Sequence, residues 1–165
     1  MSSSDRRSFL VLLAAAPLAA CGFAPAYAPG GAVATLQGRI AVQAPVTRND
    51  FDLVARLETR LGRPEAALYD LTYTLVTRRA AGGISPSNTI TRYTLNGVAD
   101  WTLTDRRSGA RVAGGTVRNF TSWSATGATI AGRTAEDAAQ ARLMQILADA
   151  IVTRLIATAG TLPPP

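Results

Sequence analysis

Ile90-Thr-Arg-Tyr-Thr-Leu-Asn-Gly-Val-Ala-Asp-Trp-Thr-Leu-Thr-Asp105 decides the fold. Tyr93, Leu95, Ala99, Trp101 and Leu103 fall on one parity, and Arg92, Thr94, Asn96, Asp100, Thr102 and Thr104 on the other. A period of two over this length predicts a long strand with one dry face and one wet face. Tyr69 to Thr77 repeats the pattern, with Tyr69, Leu71, Tyr73 and Leu75 apolar against Asp70, Thr72 and Thr74. Arg111 to Trp123 is a third, less regular run, in which Gly114-Gly115 predicts a bulge or a close approach of backbones. Asp105-Arg-Arg-Ser-Gly109 is a turn signal that makes Ile90–Asp105 and Arg111–Trp123 an antiparallel hairpin, and Ala80 to Asn88, with two glycines and a proline, predicts a longer hairpin before them.

Upstream, Gly38 to Gln43 alternates and stops at Pro45, which predicts a short first strand. A helix follows, with Asn49 as the expected N-cap, Val54, Leu57 and Leu61 on one face, and Gly62-Arg63-Pro64 as the stop. Downstream, Thr134 to Thr158 predicts a helix opened by the Thr134-Ala-Glu-Asp137 capping pattern. Ala141, Met144, Ala148, Ile151 and Leu155, widened by Leu143 and Leu147, form an apolar stripe at spacings of three and four. A one-faced sheet beside so wide a stripe calls for burial of one on the other before any partner is invoked. The expected architecture is therefore an α+β two-layer sandwich in the order β-α-β-β-β-α, a mainly antiparallel four-stranded sheet with both helices on its apolar face.

Composition narrows function. The 165 residues carry 17 cations, all arginine, against 11 acids, and no histidine. Without histidine or lysine there is no Ser-His-Asp or Cys-His arrangement, no Ser-Lys dyad and no Schiff base, and the acids are scattered through the chain. The sequence thus reads as a non-enzyme, with no metal site and no cofactor. Arginine, always protonated and forked, suits phosphates and carboxylates.

The N-terminus carries an address. Met1 to Arg7 is a short cationic region, and Phe9 to Ala20 is apolar but too short to span a bilayer, for which about 20 apolar residues are needed. Leu18-Ala-Ala-Cys21 resembles a lipobox, which implies cleavage before Cys21 and acylation of that residue, the one cysteine in the chain. Two or more acyl chains give durable membrane attachment. Arg6-Arg7-Ser8-Phe9-Leu10 also resembles a twin-arginine export motif, with Asp5 departing from it. Gly22 after the cysteine favours the outer membrane. Cleavage would remove Asp5, Arg6 and Arg7, leaving fifteen arginines against ten acids, a charge of +5. The expected organisation is 1–20 signal peptide, 21–36 lipidated tether rich in proline and glycine, 37–160 folded domain and 161–165 flexible Pro-rich tail.

The opening Cys21-Gly-Phe-Ala-Pro-Ala-Tyr27, the element order, the aromatic-serine patch Phe120-Thr-Ser-Trp123, and a last helix opening Ala135-Glu-Asp-Ala138 and continuing through Leu147-Ala-Asp-Ala-Ile151 occur together. In this combination the chain resembles the LptE family of lipopolysaccharide-assembly lipoproteins. Trp123 stands where tyrosine is frequent. The resemblance implies a plug within an LptD-like outer-membrane β-barrel, on the periplasmic side within its lumen, that assists the barrel's assembly and the delivery of lipopolysaccharide to the outer leaflet. The candidate ligand-binding residues, chosen on charge, are Arg78, Arg79, Arg92 and Arg118. An auxiliary lipoprotein of a phospholipid-handling ABC transporter is the alternative. Nucleic acid is rejected as a partner, because export separates the protein from it and the aromatic residues fall on the core side.

Overall fold

The computed structural model describes residues 32–125 and 129–162. The export signal, Cys21 and the Pro-Gly stretch up to Gly31 lie outside the described residues, as do the last three prolines. The chain enters through a short helix, α1 (Ala32–Leu36), followed by β1 (Ile40–Val42), α2 (Arg48–Leu61), β2 (Tyr69–Ile84), β3 (Ile90–Asp105), β4 (Arg111–Ser124), α3 (Thr129–Thr158) and a 3-10 turn at Ala159–Thr161. Apart from α1, this is the β-α-β-β-β-α order read from the sequence.

The sheet runs β1-β2-β3-β4. The three long strands form an antiparallel meander, with Tyr73 opposite Trp101 and Trp101 opposite Gly115. β1 lies parallel to β2 over Ile40–Val42, with α2 as the crossover that parallel neighbours require. The sheet is therefore mixed, with its first strand at one edge and β4 at the other.

Parity in the strands becomes a division between two faces. Tyr69, Leu71, Tyr73, Leu95, Ala99, Trp101, Leu103, Val117 and Trp123 are buried under the helices, while Thr72, Thr74, Asn96, Asp100 and Thr116 are exposed on the other side. The described helices cover one face only. α3 lies along β3 and β4 and also packs on α2. Its buried residues Ala139, Leu143, Met144, Leu147, Ala148, Ile151, Val152 and Leu155 form the stripe expected from the sequence, whereas Ala141 is only half-buried. Fully burying a leucine contributes ~1.5–3 kcal/mol, so burial of this stripe strongly stabilises the seating of α3 on the sheet.

Local choices differ from the sequence reading in four places. Thr47, rather than Asn49, caps α2: its Oγ1 accepts the Asp50 N–H at 3.2 Å, and Asp50 Oδ2 accepts the Thr47 N–H at 2.8 Å. This reciprocal pair satisfies two end donors, which a cap at Asn49 would not. α3 begins at Thr129, so Thr134 is already inside it, with its hydroxyl donating to Ile130 O at 3.2 Å. A threonine followed by acids suits a cap, but its hydroxyl can equally bond back along its own helix. Gly114 and Gly115 pair in regular register with Thr102 and Trp101, and the irregularity falls instead between Leu103 and Thr104. The missing side chain at Gly114 makes room for the Arg111 guanidinium. Finally, strand pairing continues through the Ala80–Asn88 segment to Ile84, with register shifts from Ala81 onward, before Ser85 turns the chain.

Gly62 ends α2 at φ 77°, a left-handed conformation that glycine adopts without strain, and its N–H donates to Glu58 O at 2.8 Å. The opposite hairpin is held by Asp105, whose Oδ1 accepts the N–H groups of Arg107 at 2.7 Å and Ser108 at 3.0 Å. Those two donors hold the Asp105 carboxyl below its usual range.

Gly97, at the middle of β3, faces α3. A Cβ there would lie 2.9 Å from Leu147 Cδ1 and 3.0 Å from Leu143 Cδ2. Gly97→Val is expected to lower stability by ~1–3 kcal/mol through overpacking, read as a lower urea midpoint with unchanged slope. An unchanged midpoint would show that α3 is not held this close to the sheet.

Candidate functional site: the uncovered sheet face

Even-numbered residues of β2, β3 and β4 build the face that no described residue covers. Register fixes its rows. Arg78 lies opposite Asn96 and Asn96 opposite Phe120; Val76 lies opposite Val98 and Val98 opposite Arg118; Arg92 lies opposite Ser124. Sheet spacings put the Cα atoms of Arg78 and Arg118 ~12 Å apart, with the two valines and Phe120 beside and between them. Phe120 is 63% exposed and Val76 46%. Strand parity places these apolar groups among arginines on a face that otherwise reads as polar.

Charge on this face is polarised. Toward the β3–β4 turn, Asp70 Oδ1 accepts from Arg106 Nε at 2.8 Å, and Asp100 accepts a short hydrogen bond from the Thr116 hydroxyl. Toward the β2–β3 hairpin stand Arg78, Arg92 and Arg118, all exposed and none paired with a carboxylate among the described residues. An unpaired guanidinium keeps its planar fork of donors available for an incoming anion.

The four arginines named from the sequence thus separate. Arg78, Arg92 and Arg118 share the open face. Arg79, of opposite parity, lies on the helix side, where it donates to Glu136 of α3 at 3.2 Å and sits 5.1 Å over the Tyr93 ring. Tyr93 in turn stacks on Trp123 at 5.4 Å. The patch Phe120-Thr-Ser-Trp123 splits in the same way. Trp123 is buried, and Thr121 Oγ1 donates to the Ala139 carbonyl at 3.0 Å, while Phe120 points out. Sequence reasoning missed Val76 and Phe120 as surface groups, because apolar residues at even positions look like faults in the pattern. Counting parity back from Trp123 would have put Phe120 outside.

Beside the sheet lies a polar cleft of about 520 Å³, lined by Gln43, the start of α2 from Thr47 to Asp50, the edge of β2 from Tyr73 to Thr77, and Gln140 of α3. Tyr73, only 8% exposed, borders it with a buried hydroxyl that has no hydrogen-bond partner. Burial, reinforced by the Asp50 carboxylate, pushes this phenol up to about 12. Among the described residues no group of three or more His, Cys, Asp or Glu is placed to hold a metal ion, and no helix is long and apolar enough to cross a membrane.

The structure is thus a helix-backed mixed sheet with one face covered by no described residue and cationic toward the β2–β3 hairpin. The chain belongs to the LptE family, described as lipopolysaccharide-assembly, whose model matches residues 33–155. Solved structures agree on the fold. A protein from Caulobacter crescentus CB15 described as a lipoprotein is similar at 25% identity and TM-score 0.66, over 81% of this chain and 98% of its own. Rare lipoprotein B from Shewanella oneidensis is similar at 12% identity and TM-score 0.59, over 74% and 96%. A minor lipoprotein from Acinetobacter baumannii is similar at 18% and 0.54, over 76% and 92%. No curated protein matches the chain.

Tyr73 gives a pH prediction. Its phenol ionises near pH 10 in the unfolded chain and near 12 in the folded one, so its contribution is constant below pH 10 and stability falls as pH rises from 10 to 12. Tyr73→Phe is expected to leave neutral-pH stability unchanged or slightly raised, because the lost hydroxyl was unpartnered, and to flatten that alkaline loss. Thermal melts of both proteins at pH 8 and pH 11.5 check this; identical alkaline loss in the two would contradict it.

Proposed function

We propose that this lipoprotein serves lipopolysaccharide assembly at the outer membrane, as a non-catalytic plug and assembly partner of an LptD-like β-barrel, with the uncovered sheet face receiving lipopolysaccharide. The observation that carries the ligand proposal is the juxtaposition of Arg78, Arg92 and Arg118 with Val76 and Phe120 on one solvent-facing surface. Lipopolysaccharide is an amphiphile with phosphates, sugar hydroxyls and acyl chains. Forked cations match the phosphates, the threonine and asparagine side chains match the hydroxyls, and the apolar groups match an acyl chain. Arg79, engaged by Glu136 and Tyr93, helps to hold α3 on the sheet.

The family match over residues 33–155 supports this role over that of a phospholipid transporter's auxiliary lipoprotein. The sequence of the leader supports the anchor: residues 1–20 direct export, Cys21 carries the acyl groups, and residues 21–36 tether the domain, their last five forming α1. In that arrangement the domain sits on the periplasmic side of the outer membrane, within the barrel.

Arg78→Glu combined with Arg118→Glu is expected to weaken binding of purified lipopolysaccharide at least about tenfold while leaving the melting temperature unchanged, since each charged hydrogen bond contributes ~1.5–3 kcal/mol. Equal loss of binding to phosphatidylglycerol vesicles would favour the phospholipid alternative, and unchanged binding to both would remove the site. Cys21→Ala is expected to abolish palmitate labelling and release the protein from membranes; labelling that persists would contradict the anchor.

A further inference from the structure

β1 and β2 are unequal neighbours. β1 has three residues and β2 has sixteen, and their pairing stops at Val42 and Leu71. Which side of β2 is then left open follows from hydrogen bonds. Leu71 O accepts from Gln43 N–H at 2.9 Å on the β1 side, whereas Leu68 O accepts from Arg106 N–H at 3.0 Å on the β3 side. Along a strand the backbone groups of alternate residues point to opposite neighbours, so the odd-numbered residues of β2 face the β1 side.

Tyr73 is the first odd residue beyond β1, and its N–H is taken at 3.2 Å by the side-chain Oε1 of Gln43. A side-chain amide here does what the next residue of a neighbouring strand would do. Past it the substitution ends. The N–H and C=O groups of Leu75 and Thr77 face the polar cleft with no partner among the described residues.

Proteins protect open edges with charge, proline or bulges. The opposite edge, β4, carries Arg111 and Arg118 and lies beside the irregularity at Leu103/Thr104. On β2 the charges Arg78 and Arg79 come only after Thr77, and the four residues Thr74-Leu-Val-Thr77 beside the cleft are uncharged, mostly β-branched and regularly paired on their inner side. The cleft walls at this edge are amides and hydroxyls, Gln43, Asn49, Gln140 and Thr47, and the charges of Arg48 and Asp50 offset each other. The buried, unpartnered Tyr73 hydroxyl borders the same space.

We propose that Leu75 and Thr77 dock one extended segment of the partner polypeptide, neutral and polar in its side chains, which continues the sheet where β1 stops. Main-chain pairing supplies the attachment, and the amide-lined cleft selects the side chains. The identity of the partner rests on the barrel reading above; the docking edge rests on the backbone geometry alone.

The test places a photoactivatable benzoylphenylalanine at Val46, which is 82% exposed next to the cleft, in the full-length lipoprotein in its native envelope, with Ala157 as a control position. The expected result is a cross-link from position 46, absent from 157, to a single contiguous segment of the co-purifying barrel. Thr77→Pro, which removes an outward N–H and no bond of the β2–β3 ladder, is expected to cut that cross-link about tenfold while circular dichroism stays unchanged. Cross-linking only to a second copy of this chain, or to nothing while the barrel still co-purifies, would overturn the docking edge and leave the function standing. Should no barrel co-purify, the function reading fails and takes this inference with it. If Thr77→Pro does not fold, the position of the cross-link still decides.

Discussion

The close packing of α3 against β3 at Gly97 is the contact on which the rest of the structure depends. There the helix presents Leu143 and Leu147 to a strand position that has no side chain, and the leucines occupy the space a Cβ would need. Seating them fixes the distance between the two layers, and the stripe from Ala139 to Leu155 then covers β3 and β4 and meets Leu53 and Leu57 of α2 in a single core. Interiors packed to this density leave little freedom for the helix to rotate or slide. At the surface the arrangement is held by Arg56 of α2, which donates to both carboxylate oxygens of Asp149 of α3 at 3.0 and 2.8 Å.

With α2 and α3 committed to one face, the other is covered by no described residue along the full width of the three long strands. That asymmetry is what the proposed ligand surface rests on. A two-layer domain with a bare sheet can present a flat surface of about three strand spacings, on which residues of one parity from different strands stand side by side. Arg78, Asn96 and Phe120 come from three strands and are far apart in sequence, yet form one row. The grouping of cations at one end, with Asp70 and Asp100 engaged at the other, gives the surface a direction that an amphiphilic ligand with a charged end can read.

How much of this was legible in the chain follows from the periods involved. Strand parity in Tyr69 to Thr77 and Ile90 to Asp105, and the helical stripe around Leu147, are repeated signals, and they delivered the layer order and the core. Single-residue signals did less well. Thr134 looked like a cap and sits within a helix, Asn49 lost the cap to Thr47, and Gly114-Gly115 proved regular in register. Each of these residue types has two stabilising uses, and tertiary context chooses between them. The candidate site was partly legible for the same reason. Charge alone selected the arginines, but only the phase of the β2 strand tells Arg78 from Arg79. The contribution of Val76 and Phe120, the parallel placement of β1 and the cleft beside it depend on pairing across the sheet, which a local pattern does not encode.

The most direct test of the account is a methyl-NMR titration of the lipoprotein domain with purified lipopolysaccharide. Val76 and Val98 on the bare face are expected to shift on binding, while Leu143 and Leu147 beneath the opposite face stay in place. Shifts concentrated among the helix-side leucines, with the two valines unmoved, would contradict it.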